Sequence, residues 1–141
     1  PSVIPVNLDL RDANDLLPPL SAVLAMNAGG RLFGATHAAY KESNRLTRTV
    51  ELLNQFGLKA SLAADGLTIE GNQSPTAPTH PVDTFGDHRL FMTAVLIASI
   101  CGGDVIGQDL HTVADEDFLD RLRRAGIGVE AVVLPPLADQ P

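Results

Sequence analysis

The feature that most restricts the fold of this chain is an order of helix starts and glycine stops that occurs twice. Asp15 and Asp87 each precede an apolar helical pattern, and a Gly-Gly pair follows each pattern. Gly57 and Gly126 then end a second helical pattern in each half of the chain. A repeated order of this kind is typical of an architecture in which each unit is one supersecondary structure.

The two units span about residues 3–71 and 82–134, and a polar segment with prolines, 72–81, connects them. Each unit predicts strand–helix–strand–helix–strand, and Asp65-Gly66 predicts a closing hairpin in the first unit. Because strands alternate with helices, the sequence predicts an α/β fold with helices packed against sheets.

Polar residues before the helical patterns are the predicted N-caps. Asn14 or Asp15 is the candidate for the first helix, Ser43 for the second and Asp87 for the third. Four apolar residues at helical spacing predict the buried face of the second helix: Leu46, Val50, Leu53 and Phe56.

Composition restricts the class of function. The chain has 141 residues, is 45% hydrophobic and carries a net charge of −7, which argues against a general nucleic-acid or anionic-membrane binder. A single cysteine excludes an internal disulfide and any cysteine-rich metal site. No apolar run reaches the roughly 18 residues of a membrane span, and no signal peptide is visible, so a cytoplasmic location is expected.

Three charged clusters precede or begin predicted helices: Asp15, residues 41–45, and residues 87–89. An arginine in the first turn of a helix opposes the helix dipole, so Arg45 and Arg89 are unusual there. Two guanidinium groups at neighbouring helix starts can bind a carboxylate or phosphate, with Asp15 and Glu42 as candidate acid–base groups beside it.

Each cluster also has a purely structural interpretation. Asp15 can be an ordinary N-cap, residues 41–45 a solvated helix start, and Asp87 a cap followed by a solvent-exposed His88. The other three histidines are isolated, so no metal site is predicted.

Taken together, the clusters resemble a known family. Residues 14–30 resemble a Pro-Asp-Leu segment that leads into an Ala-rich helix, residues 40–46 a Lys-Glu-Ser-Asp-Arg-Leu motif, and residues 85–99 an Asp-His-Arg helix start. With 57–72 and 118–130 in the expected order, the chain resembles the C-terminal part of the 5-enolpyruvylshikimate-3-phosphate synthase (3-phosphoshikimate 1-carboxyvinyltransferase) family. The related UDP-N-acetylglucosamine enolpyruvyl transferases match the second motif less well.

The resemblance implies an enzyme of the shikimate pathway of aromatic amino acid biosynthesis. Its substrates would be phosphoenolpyruvate and shikimate 3-phosphate. The enolpyruvyl group would move to a shikimate hydroxyl through a tetrahedral intermediate, with release of phosphate and without a metal or organic cofactor.

The resemblance also implies residue roles. Asp15 matches the acid that binds shikimate and accepts the hydroxyl proton, and Glu42 the carboxylate that shuttles protons at the methylene carbon. Lys41 matches the lysine between the two substrates. Four residues match those that bind phosphoenolpyruvate or flank its site: Arg45, Arg89, Asp87 and His88.

Some features depart from the family pattern. Asn44 replaces an aspartate, and residues 111–118 lack a lysine, with Val113 or Asp115 in its place. Family members have two lobes of three repeats, so residues 1–141 are interpreted as a partial C-terminal domain without the N-terminal lobe, and as inactive alone. The alternative is a non-catalytic domain of the same fold that binds small anions or another protein, or a purely structural α/β module.

Overall fold

The computed structural model describes residues 5–35, 44–107 and 118–128, and it has a mixed α/β fold. Three helices pack against one another, and two of them also contact a four-stranded sheet. The predicted fold class, α/β with helices packed against a sheet, is therefore confirmed.

The sheet is formed by the first unit. Its strands are β1 (Val6–Asp9), β2 (Gly30–Phe33), β3 (Ala60–Ala63) and β4 (Gly66–Ile69), in the spatial order β1-β2-β4-β3. β1 and β2 are parallel, whereas β4 is antiparallel to both β2 and β3. The predicted hairpin is confirmed, although its turn lies at residues 64–65 and Gly66 already belongs to β4.

Close backbone contact makes a glycine necessary at the start of β2. A Cβ atom on Gly30 would lie 1.8 Å from the carbonyl oxygen of Val6 on β1, and the φ of Gly30 is +147°. Both the space and the backbone conformation therefore exclude a side chain where β1 and β2 first pair.

The helices are α1 (Leu17–Met26), α2 (Arg45–Gln55), α3 (His88–Cys101) and α4 (Phe118–Arg124). α1, α2 and α3 contact one another, and α1 and α2 also contact the sheet. The predicted apolar face of α2 is confirmed. Leu46, Leu53 and Phe56 are buried, and Val50 is partly buried against the core.

The cap of α2 differs from the prediction. The helix begins at Arg45, so the capping position is Asn44, whose side-chain oxygen accepts a hydrogen bond from the backbone N–H of Thr47 at 3.3 Å. Ser43, the predicted cap, lies outside the described residues. Asn44 therefore supplies the local stabilisation that an Asp or Ser would give at a helix start.

The second unit contains less strand than predicted. In the described ranges the segments 82–85 and 104–107 contribute one parallel bridge, between Val82 and Val105 on either side of α3. Positive φ angles at Phe85 (57°) and Gly86 (69°) turn the chain into α3 at once, which ends the extended segment. The last strand predicted for this unit, at the end of the range 82–134, lies outside the described residues, and the common fold of the two units stays a prediction.

Candidate functional site

Asp15 lies in a short 3-10 turn, Asn14–Leu16, directly before α1. Neither this turn nor α1 has a side-chain capping hydrogen bond, so the interpretation of Asp15 as an ordinary N-cap is wrong. Asp15 lies inside the 3-10 turn, after its capping position at Ala13, and Pro18 has no N–H to donate to a carboxylate three residues earlier. The Asp15 carboxylate, which is 48% exposed, contacts two arginines instead.

Arg45 is the first residue of α2, and its side chain is only 2% exposed. Its Nε donates to Oδ2 of Asp87 at 2.8 Å and its Nη2 to Oδ1 of Asp87 at 3.3 Å, while Nη1 donates to Oδ1 of Asp15 at 2.5 Å. Burial alone would lower the pKa of the guanidinium, but the hydrogen bonds and charge of Asp87, and then of Asp15, raise it above its ordinary value. Arg45 is therefore a permanently charged, firmly held group.

Asp87 joins the starts of two helices. It is completely buried, and its Oδ1 accepts from the backbone N–H of Arg89 at 2.9 Å and of Leu90 at 3.4 Å. The predicted cap of α3 is thus confirmed, and the same carboxylate holds Arg45 on α2. His88 is 7% exposed, so the alternative in which this histidine faces solvent is wrong.

Arg89 approaches the same carboxylate from α3. Its Nη2 lies 3.7 Å from Oδ2 of Asp15, which is a charge contact longer than a hydrogen bond. Its Nε is buried and has no hydrogen-bond partner in the part of the chain that the structure describes. The side chain is 36% exposed, so Arg89 combines a solvent-accessible charge with an incompletely satisfied donor set.

The structure brings together four predicted site residues, which we call the carboxylate–arginine cluster: Asp15, Arg45, Asp87 and Arg89. Both guanidinium groups point towards the Asp15 carboxylate. Lys41 and Glu42 lie outside the described residues, as do Val113 and Asp115, and their positions stay predictions. The roles of all these residues towards a substrate are likewise untested.

The ion pair between Arg45 and Asp87 is the part that the sequence interpretation missed. A signal for it was present, because Arg45 is four residues before Thr49 and seven before Leu52, which are both fully buried. Arg45 therefore belongs to the buried stripe of α2, and a buried arginine requires a buried acidic partner.

Other features of the described residues do not provide a comparable site. No group of three histidine, cysteine or carboxylate side chains within them could hold a metal ion. None of their helices is long and apolar enough to cross a membrane. A groove of about 280 Å³ between α1 and α3 has a largely apolar lining that includes Val23, Leu96 and Ile100, and no charged side chain from those residues contributes to it.

Comparison with known proteins agrees with the sequence resemblance. The family model of EPSP synthase (3-phosphoshikimate 1-carboxyvinyltransferase) matches residues 2–122. The 3-phosphoshikimate 1-carboxyvinyltransferase of Methanothermobacter thermautotrophicus is 36% identical over 123 residues, which are 86% of this chain and 28% of that relative. The relative of the same name from Methanocorpusculum labreanum is 40% identical over 96 residues, or 67% of this chain and 22% of the relative.

The fold is similar to that of a solved EPSP synthase from Acinetobacter baumannii. The TM-score is 0.72 at 22% sequence identity, and the match covers 90% of this chain and 31% of the solved one. The chain thus spans between a fifth and a third of the length of the relatives described here.

Proposed function

This chain belongs to the EPSP synthase (3-phosphoshikimate 1-carboxyvinyltransferase) family, and on that premise we propose that it supplies part of an enolpyruvyl transferase active site. The reaction would move the enolpyruvyl group of phosphoenolpyruvate to shikimate 3-phosphate and release phosphate. Because the chain spans about 28% of its Methanothermobacter relative, the remaining substrate contacts would come from another lobe.

The observation that carries this proposal is the convergence of Arg45 and Arg89 on one carboxylate. Guanidinium groups bind carboxylates and phosphates through paired N–H donors, and phosphoenolpyruvate carries both of these anions. Arg89 is partly exposed and can contact a ligand directly. Arg45 is buried and held by Asp87, so it offers a charge of fixed position.

The family resemblance assigns proton transfers to two carboxylates of this chain, Asp15 and Glu42. In the addition step the substrate hydroxyl attacks C2 of phosphoenolpyruvate, Asp15 accepts the hydroxyl proton, and the methylene carbon gains a proton from Glu42. In the elimination step Glu42 takes a proton back from that methyl group, the bond between C2 and the phosphate oxygen breaks, and the proton held by Asp15 passes to the leaving phosphate. Lys41 lies between the two substrates in this scheme and stabilises their negative charges.

Asp87 and His88 have supporting roles in this proposal. Asp87 is completely buried and already bound to Arg45 and to the start of α3, so we assign it to positioning Arg45 instead of touching substrate. His88 is the next residue, and its burial agrees with a place behind the anion site.

The test measures phosphate release from phosphoenolpyruvate and shikimate 3-phosphate. The 141-residue chain is assayed alone and with the rest of the Methanothermobacter relative, expressed separately. No release is expected from the chain alone, because one lobe cannot orient both reactants, and orientation can contribute about 7–11 kcal/mol. Release is expected with both polypeptides, and Glu42→Gln is expected to abolish it.

A matched control removes the same charge elsewhere. Glu70 is exposed beyond β4, so Glu70→Gln is expected to leave the reconstituted activity unchanged. Robust release by the chain alone would contradict a requirement for the second lobe. Phosphate binding without any turnover in the mixture would instead support the alternative, a non-catalytic small-anion binding domain.

A further inference from the structure

We propose that the Asp15 carboxylate is an internal anion that occupies the Arg45–Arg89 pair until a ligand phosphate or carboxylate takes its place. The inference deepens the proposed function and rests on it for the class of ligand. It adds a property of the site that the reaction alone does not require: binding of the ligand and release of Asp15 are one coupled event.

The geometry of Asp15 is that of a bound ligand. One carboxylate oxygen, Oδ1, accepts from Nη1 of Arg45 at 2.5 Å, and the other, Oδ2, faces Nη2 of Arg89 at 3.7 Å. An external carboxylate or phosphate between the same two guanidinium groups would place two of its oxygens in the same way. Asp15 and the ligand therefore compete for the same donors.

Asp15 is also the member of the carboxylate–arginine cluster that can move. Its side chain is 48% exposed, whereas Asp87 and Arg45 are buried and hold each other through two hydrogen bonds. Because the capping positions of the 3-10 turn and of α1 are Ala13 and Leu16, the departure of Asp15 from the arginines removes no capping side chain from either element. Arg45 stays in position through Asp87 when Asp15 leaves.

Tight binding of an anionic ligand requires Asp15 to leave the two arginines, because its negative charge cancels part of theirs. The cluster contains two guanidinium groups and two carboxylates, so its formal charge is zero while Asp15 occupies it. Once Asp15 turns away, the site has a net positive charge, and the loosely held Arg89 can form shorter hydrogen bonds with the ligand. The displaced carboxylate is then beside the bound anion, where the proposed reaction needs a proton acceptor.

The experiment titrates the 141-residue chain with inorganic phosphate at low ionic strength, by calorimetry, for the wild type and three variants. Asp15→Asn keeps the shape but removes the competing charge, so it is expected to bind phosphate about three- to tenfold more tightly. Asp15→Glu keeps the charge and is expected to bind as weakly as the wild type. Asp12→Asn makes the same charge change at an exposed neighbour and is expected to stay within about twofold of the wild type.

Binding by Asp15→Asn that equals or falls below that of Asp12→Asn would overturn the inference, as would the absence of phosphate binding in every variant. If Asp15→Asn does not fold, the wild type still provides a test through the arginine Nε–H signals in NMR. Phosphate is expected to shift the Arg89 signal, and an unchanged signal at saturation would overturn the inference. Tighter phosphate binding by Asp15→Asn, together with no turnover by the reconstituted wild-type enzyme, would refute the proposed transferase and leave this exchange intact.

Discussion

Replacing Asp87 tests whether the start of α3 and the position of Arg45 depend on one buried carboxylate. Asp87→Asn retains an N-cap of similar quality, because asparagine and aspartate are equally favoured there. It removes the charge that faces Arg45, whose side chain is 2% exposed. An unpaired buried charge costs about 3–5 kcal/mol, and the remaining partner Asp15 reduces the expected loss to about 2–3 kcal/mol.

Asp87→Ala also measures what Asp87 contributes as the cap of α3. It removes the ion pair and also the two hydrogen bonds from the backbone N–H groups of Arg89 and Leu90. The lost cap adds about 1 kcal/mol, for a total of about 3–4 kcal/mol. Against a typical domain stability of about 5–15 kcal/mol, the alanine variant is expected to be markedly destabilised.

The assay is urea unfolding followed by far-ultraviolet circular dichroism, since the chain has no tryptophan and one tyrosine. Asp104→Asn is the matched control, because this carboxylate is exposed and the substitution changes the net charge equally; its effect is expected within about 0.5 kcal/mol. A loss below about 1 kcal/mol for Asp87→Asn would refute the dependence of Arg45 on Asp87. Equal losses for the asparagine and alanine variants would refute the capping contribution.

Three further outcomes follow from local geometry. Gly30→Ala is expected to lower the free energy of unfolding by about 3 kcal/mol or more, because its Cβ would meet a backbone carbonyl. Gly86→Ala should cost about 1 kcal/mol, because Gly86 has a φ of +69° but open space around it in the described structure. Equal losses for the two variants would contradict this difference. The N–H of Gly34 is the main cause of the lowered pKa of Asp65. Urea unfolding at several pH values measures the difference in unfolding free energy between the wild type and Asp65→Asn. This difference should be constant near neutral pH and disappear as the pH falls below about 4. Burial raises the pKa of the Cys101 thiol, so iodoacetamide should alkylate the folded chain more slowly at pH 8 than the urea-unfolded chain, and equal rates would count against it.

The local elements were largely predictable, because their causes lie within a few residues of sequence. The glycines after α1 and α2 have positive φ angles, as the predicted stops require, and the apolar spacing of α2 matches its buried face. The hairpin β3–β4 follows from a turn signal between two apolar runs. The extended segments at 82–85 and 104–107 were predicted less well, because backbone turns beside them shorten the pairing to one bridge.

The approximate position of the candidate site was also predictable from charged residues before helices, but the pairing within it was not. The sequence places Arg45 and Asp87 42 residues apart, and no rule of local spacing joins them. Their contact arises because α2 and α3 pack side by side and bring both helix starts to one end of the helix layer.

Sequence alone therefore determined which residues carry charge, which faces are apolar and where the chain turns. Only the tertiary structure decided that Asp87 is both cap and partner, that Arg45 is buried, and that Asp15 bridges two arginines instead of capping α1. The reason is that burial and ion pairing depend on distances between elements remote in sequence, and packing of the helices sets those distances.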